Sequence, residues 1–316
     1  MSKRLYVIGN GFDRHHDINS SYCDFRTWMC ENVRYDAENI ESLFDCDELW
    51  KSFEENLSKL RYDVIARQKT AENPPNVADD HFERTLSDAR CEVENDLEGW
   101  YADIRKALPR WVEQLNAPNP LKRVDLKIED SVFLTFNYTK TLEDFYSVSD
   151  DVVLHVHGKL GDQWQDLLLG HGGDVDSSYL DKTTDEGPID DEEWNAPEPE
   201  VMLAESDAIQ AGYEVVKQWQ KPVDAVVGRM DEFFRSLADV DEVFVLGLSF
   251  SAVDMAYINR IADSVQLNAH WYISYLSDAD VLRIKSLDIN NRFFNVELIT
   301  LNQLLSPKSQ RGDQEL

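Results

Sequence analysis

Short uninterrupted apolar runs recur along this chain, and few of them alternate with polar residues. Such a run reads as a strand buried on both faces, as in a parallel sheet covered by helices on each side. The runs 4–8, 131–136, 152–156, 167–169, 242–246, 270–275 and 296–300 are candidate strands. Helical patterns separate most of them, so the expected fold class is α/β with a mostly parallel sheet.

The first run, RLYVIGNGFD, passes from Leu5–Ile8 into Gly9, Asn10 and Gly11, with Phe12, Asp13 and a helical region beyond. Glycine permits left-handed backbone and lets a ligand approach the main chain. A strand, a glycine turn and a helix N-terminus together offer outward N–H groups to an anion. The alternative is that the glycines serve the tight turn alone. The turn is not a full G-x-G-x-x-G, which speaks against an ordinary hydride-transfer enzyme.

Between the first two strands lies a long helical insert, 20–124. Ser20 and Ser21 can cap a helix carrying Tyr22, Phe25, Trp28 and Met29. A second helix carries Leu49, Trp50, Phe53 and Leu57, and Pro74-Pro75 ends that pattern. From Phe82 to Leu115 a stripe of Leu86, Val93, Leu97, Trp100, Ile104, Leu108 and Trp111 suits either a helix core or a subunit interface. The Rossmann-like core would then comprise 1–19 and 125–305. The segment 174–200 holds eleven Asp or Glu against one Lys and reads as a mobile acidic loop. Asp207–Leu237 returns to helix, and 306–316 reads as a flexible tail.

Three further strand ends carry polar residues. FLTFNYTKTLEDFY ends in Asn137, with Tyr138 and Thr139 starting a helix; Asn137 either caps that helix or orients a water or a ribose hydroxyl. VLHVHGKLGD puts His155 and His157 on one strand face by period-two alternation, His157 at the strand end. An imidazole there either moves protons near neutral pH or holds a loop carbonyl. VFVLGLSFSAVD runs into Gly247, then Ser249, Ser251 and Asp254; the serines suit phosphate or ribose, and Asp254 suits a ligand or a helix cap. Carboxyl ends of strands are where open α/β sheets bind ligands.

Composition narrows the partners. A net charge of −30 and a pI near 4.4 disfavour general nucleic-acid binding and anionic membrane surfaces. No run of 18 apolar residues suggests a membrane span, and no leader pattern precedes the first strand, so the expected location is the cytoplasm. Cys23, Cys30, Cys46 and Cys91 form no close pair, which predicts reduced, buried thiols and no metal site.

Taken in order, LYVIGNGFD, His16, SSYCDF, LWKSFEENL, FLTFNYTKTLE, HVHGKL, LLLGHG and VLGLSFSAVD resemble the AbiH family of bacterial phage abortive-infection proteins. The resemblance spans roughly residues 4–300. It departs at Asp17 and Asn19, where the family often has Gly and Pro. It implies an antiphage defence effector, commonly oligomeric, with a phage trigger or a companion defence protein.

A more distant resemblance joins the glycine turn, the strand-end Asn, His-Gly and Gly-x-Ser to sirtuin-like (DHS-like) NAD-binding domains, of which the defence members hydrolyse NAD to nicotinamide and ADP-ribose. It implies a Rossmann-like fold with NAD as substrate or ligand. Asn137 and His157 would be catalytic. Gly9, Asn10, Gly11, Phe12, Asp13, His16, Tyr138, Gly247, Ser249 and Asp254 would bind the nucleotide. Thr139 stands where those domains commonly have Asp, and the Cys₄ zinc module of the deacetylases is missing, which disfavours deacetylation. An NAD glycohydrolase-like enzyme is therefore the first expectation. A non-catalytic nucleotide-binding sensor or partner-binding module is the second, and a nuclease the last.

Overall fold

A computed structural model describes residues 3–33, 40–75, 82–161, 167–181, 198–287 and 295–306. The chain divides into two compact units. One comprises 1–25, 108–168 and 222–316; the other comprises 26–107 and 169–221.

The first unit holds a six-stranded sheet of β1 (Lys3–Ile8), β2 (Ser131–Thr135), β3 (Val153–His155), β4 (Val240–Leu246), β5 (His270–Ser274) and β6 (Asn295–Ile299). Every pairing is parallel, in the order β3-β2-β1-β4-β5-β6. This is a Rossmann-like sheet, and its strand order reverses between β1 and β4. The expected strand at 167–169 does not form. Leu168 N–H instead donates to His157 O at 2.9 Å, and this stretch runs as a loop.

Both faces of the sheet are covered, which is why its strands are apolar without alternation. On one face Leu5, Val7, Leu134, Val243, Val245, Trp271 and Ile273 pack in one core with side chains of α6 (Val223–Arg229), α7 (Asp231–Ser236), α8 (Ala252–Ala262) and α9 (Asp278–Ser286). Each such aliphatic side chain contributes roughly 1.5–3 kcal/mol by burial. On the other face Phe133, Tyr6, Phe244 and Tyr272 occupy facing positions on β2, β1, β4 and β5. Their rings stack with centroids 5.0, 4.9 and 4.5 Å apart in turn. Beside this row, Phe12, Leu142 and Tyr146 close the second core.

Two short helices open the chain after β1: α1 (Asn10–His15) and α2 (Tyr22–Asn32). On α2, Phe25 and Met29 are buried four residues apart. Cys23 and Cys30 fall on the opposite side and are exposed, as is Cys91, against the expectation of buried thiols.

The second unit is helical. It includes α3 (Tyr62–Glu72), α5 (Pro199–Gln218) and most of α4 (Phe82–Val112). The predicted helix through Leu49 and Leu57 is a run of short helical turns. Tyr101 stacks on Trp219 at 4.8 Å, Arg90 bridges to Asp207, and Gly212 of α5 sits where a Cβ would come 2.8 Å from Tyr62. The stripe on α4 is core: Val93, Leu97, Ile104, Leu108 and Trp111 are buried. The helical insert after β1 thus supplies only part of this unit. Residues 169–221, assigned to the core from sequence, join it through the packing of α3 against α5. Of the predicted acidic loop, 182–197 lie outside the described residues; its flanks are the helical turn Ser178–Asp181 and the start of α5 at Pro199. The predicted tail beyond Ser306 is likewise outside them.

Candidate functional site

The four polar strand ends lie in one unit, at the carboxyl edge of β1, β2, β3 and β4, and the strand order reverses among them. The loops after β1 and β4 touch through backbone. Gly9 N–H donates to Leu246 O at 2.9 Å and Gly11 N–H to Gly247 O at 2.8 Å, while Phe12 N–H turns back to Gly9 O. A Cβ on Gly247, whose φ is +70°, would lie 2.1 Å from Phe12 N, and one on Gly9 would lie 2.5 Å from Gly247 O. These glycines therefore let two loops cross in contact. The outward N–H groups expected of Gly9, Gly11 and Phe12 are taken inside the fold, and α1 has only six residues. Ser274 Oγ accepts the Gly247 N–H at 2.7 Å, a supporting contact with no signal in the sequence.

Asp13 is the buried charge of this edge, with 1% of its surface exposed. Its two oxygens accept from Thr139 Oγ1 at 2.5 Å and Thr141 Oγ1 at 2.7 Å. Burial pushes its carboxyl up to about 6, an effect limited by the donors of Thr139, Thr141 and Asn137 and by nearby His155. Those hydroxyls turn toward Asp13, and no helix starts at Tyr138; a π-helical turn begins only at Thr141. Asn137 is consequently not a helix cap.

Asn137 is buried, with 7% of its surface exposed, and all its polar groups but one are held. Its N–H donates to Thr135 Oγ1, its carbonyl faces His155 Nδ1 at 3.1 Å, and its amide nitrogen donates to Gly9 O at 3.2 Å and lies beside the Asp13 carboxyl, whose charge it favours. The amide oxygen has no protein partner. His155 reaches Glu143 with its other nitrogen at 2.7 Å. Sequence reading passed over Thr141 and Glu143. The T-x-T pair of hydroxyls after the strand-end Asn was the available signal.

β3 ends at His155, so strand alternation does not reach His157. Gly158, at φ +82°, turns the chain just beyond. The buried His157 ring packs on Phe136 and Tyr138, the two neighbours of Asn137, at centroid distances of 5.5 and 6.3 Å. Tyr138 donates its hydroxyl to Leu168 O, which fixes the loop that passes His157.

Other expected binding residues have structural partners. Asn10 is exposed and exchanges hydrogen bonds with Ser20. His16 is fully buried beside Phe12, with Nδ1 donating to Phe12 O at 2.7 Å. Its Nε2 then accepts from the Tyr146 hydroxyl at 2.7 Å, and that hydroxyl accepts from Val124 N–H. Burial holds the imidazole down at about 4, in the neutral form this chain of bonds requires. Ser251 caps α8 and Asp254 completes its capping box, accepting from Ser251 N–H and Ser249 Oγ at 3.0 Å. Ser249 itself is exposed, and Arg283 donates to its carbonyl at 2.9 Å, which brings a guanidinium to this edge.

For a nucleotide, the residues fit in part. The orphan Asn137 oxygen suits a hydroxyl or water donor, and Ser249 with Arg283 suits a phosphate. The glycine turn contributes shape more than anion contacts. Among the described residues, no group of three or more His, Cys, Asp or Glu side chains is gathered for a metal, and no helix is long and apolar enough to cross a membrane.

Comparison with known proteins is consistent with the order of these motifs. The family model described as bacteriophage abortive infection AbiH matches residues 5–275. Among curated proteins and among solved structures, nothing matches.

Proposed function

The chain belongs to the AbiH family of bacteriophage abortive-infection proteins, and we propose that it performs this role by binding a nucleotide of the NAD class at the carboxyl edge of β1, β2 and β4 and hydrolysing it. The observation that carries this reading is the unpartnered amide oxygen of Asn137, buried beside Asp13 at the carboxyl ends of β2 and β1. A buried acceptor without a donor costs about 1–3 kcal/mol, and a water or a ribose hydroxyl would satisfy it.

The chemistry asks little of the protein. Water's oxygen bonds to the ribose carbon as the carbon–nitrogen bond breaks, and its electron pair leaves with the ring as neutral nicotinamide. Asn137 accepts one O–H of that water and aims it. His157, beside it on the Phe136 and Tyr138 rings, is the candidate acceptor of the released proton. The anionic Asp13 favours the positive charge that develops at the sugar.

The test is intracellular NAD, nicotinamide and ADP-ribose by mass spectrometry, with and without phage, for wild type, Asn137→Ala and His157→Ala. Loss of NAD with both products appearing, abolished in both variants, supports hydrolysis. Protection with NAD unchanged refutes it. A thermal shift with NAD but no product would identify a non-catalytic sensor.

A further inference from the structure

We propose that Asp13 is a positioning residue that fixes which end of the Asn137 amide faces the ligand. The Asn137 amide has two N–H donors and one oxygen acceptor. Its nitrogen donates to Gly9 O and lies beside the Asp13 carboxylate, which leaves the buried oxygen as the end without a partner. Gly9 O alone holds one N–H; without the carboxylate the second N–H loses its acceptor, the preference between the two orientations weakens, and the flipped form would present N–H groups to the ligand. Thr139 and Thr141 hold one carboxylate oxygen each and lie 3.2 Å from one another, which fixes the plane of Asp13 in turn. The site is thereby built to receive a donor, a water O–H or a sugar hydroxyl, and to reject a bare acceptor at that point. This deepens the nucleotide reading and rests on it for the identity of the ligand, but the orientation of Asn137 is a property of the protein alone.

The test therefore has two readouts on the full chain. The first is the side-chain NH₂ signal of Asn137 in deuterated, ¹⁵N-asparagine-labelled protein, assigned by its loss in Asn137→Ala. It should move with pH around a midpoint near 6 in wild type and lie flat in Asp13→Asn. The other titratable groups facing this spot are His155 on β3, paired with Glu143 of the π-helical turn, and His157 beyond it. They remain in Asp13→Asn, so a midpoint that survives there belongs to them and overturns the proposal. A wild-type signal that does not move overturns it too. Thr141→Val removes a donor that lowers the Asp13 carboxyl, and should raise the midpoint while leaving the titration in place. It serves as the second variant should Asp13→Asn misfold.

The second readout is NAD turnover. Asp13→Asn should lower kcat by about 10- to 100-fold, as expected for a misaimed reactant, with KM changed less than about 3-fold. It should also abolish the fall in kcat below pH 6. Unchanged kcat and pH profile in Asp13→Asn, with Asn137→Ala inactive, would sink the positioning role and leave the nucleotide reading standing. A titrating Asn137 signal in a protein that neither turns over NAD nor is stabilised by it would sink the nucleotide reading and leave the positioning role standing.

Discussion

Asp13→Asn should stabilise the protein at pH 8, although it replaces a residue with hydrogen bonds on both oxygens. The carboxyl sits at about 6 in the fold against 3.8 for the ordinary group. That difference is worth about 3 kcal/mol, at about 1.4 kcal/mol per tenfold change in the protonation equilibrium. The sign follows from proton counting: between 3.8 and 6 the folded chain binds more protons than the unfolded one, so ionised Asp13 costs the fold its full amount above pH 6. As pH falls from 6 to 3.8 the cost is relieved. Asn has the same shape and no charge, but it has one acceptor where three donors converge, which returns about 1 kcal/mol of the gain. The net is about 2 kcal/mol at pH 8 and less than about 1 kcal/mol at pH 5, with nothing left near pH 4. At about 2–4 °C per kcal/mol for a domain of roughly 150–250 residues, Tm rises by about 4–8 °C at pH 8. Calorimetry of both proteins at pH 8 and pH 5 is the assay. A variant less stable at pH 8, or a gain that does not shrink toward pH 5, would refute the reasoning.

His16 titrates in the opposite sense. Its value is depressed from 6.5 to about 4, so its contribution is intact above 6.5 and about 3 kcal/mol is lost as pH falls to 4. In wild type the relief at Asp13 offsets most of that loss; denaturant titrations at pH 6.5 and 4.5 should therefore show Asp13→Asn losing stability more steeply with acid than wild type. Gly247→Ala should cost more than about 3 kcal/mol and yield little soluble protein, since its Cβ meets Phe12 N in a left-handed backbone; wild-type yield and Tm would contradict the close crossing of the two loops. Ser251→Ala should cost about 1 kcal/mol in thermal unfolding by removing the cap of α8, and should leave the Asn137 NH₂ titration where it was.

Much of the sheet was legible because it is buried on both faces. LYVI, VFLT and VFVL are strands for the same reason they look like strands, and the polar residues after them mark their carboxyl ends. The meaning of those polar residues was harder to read. Asp13 meets Thr139 and Thr141 across 126 and 128 residues of chain, and only the placement of β2 beside β1 brings them together. Gly9 and Gly11 have the local chemistry of an anion turn. That their N–H groups go to Leu246 and Gly247 depends on β4 being the other neighbour of β1, which no local periodicity reports. The same holds for Asn137: next to Tyr138 and Thr139 it looks like a helix cap, but the Thr139 and Thr141 hydroxyls go to Asp13 and the helical turn begins only at Thr141. The segment 169–221 was hard to place for a related reason: its helix α5 packs on α3, which lies before β2 in the chain.

The costs this edge bears point the same way as its geometry. A charged carboxylate with 1% exposure and an amide oxygen with no donor together oppose folding by several kcal/mol, and packing elsewhere in the unit offsets them. Apolar residues at 13 and 137 would remove both costs, at the expense of the acceptor that Thr139 and Thr141 use, so stability alone gives only a weak reason for this pair. A ligand that donates a hydrogen bond to Asn137 recovers part of that energy on binding, and the recovered part is absent when the oxygen is absent. Hence the stabilisation by NAD or ADP-ribose should be smaller in Asn137→Ala than in wild type by roughly 1–2 kcal/mol of binding, a 5- to 30-fold weaker Kd. Asn137→Asp separates orientation from occupancy: it offers an acceptor whichever way it turns, but sets a second carboxylate against Asp13, and the two then share a proton near neutral pH. Ligand stabilisation in that variant should therefore peak on the acidic side, where the pair holds its proton, and fall away as pH rises. A flat dependence would mean that Asp13 and residue 137 do not sense one another, and the contact on which the site's logic rests would be lost.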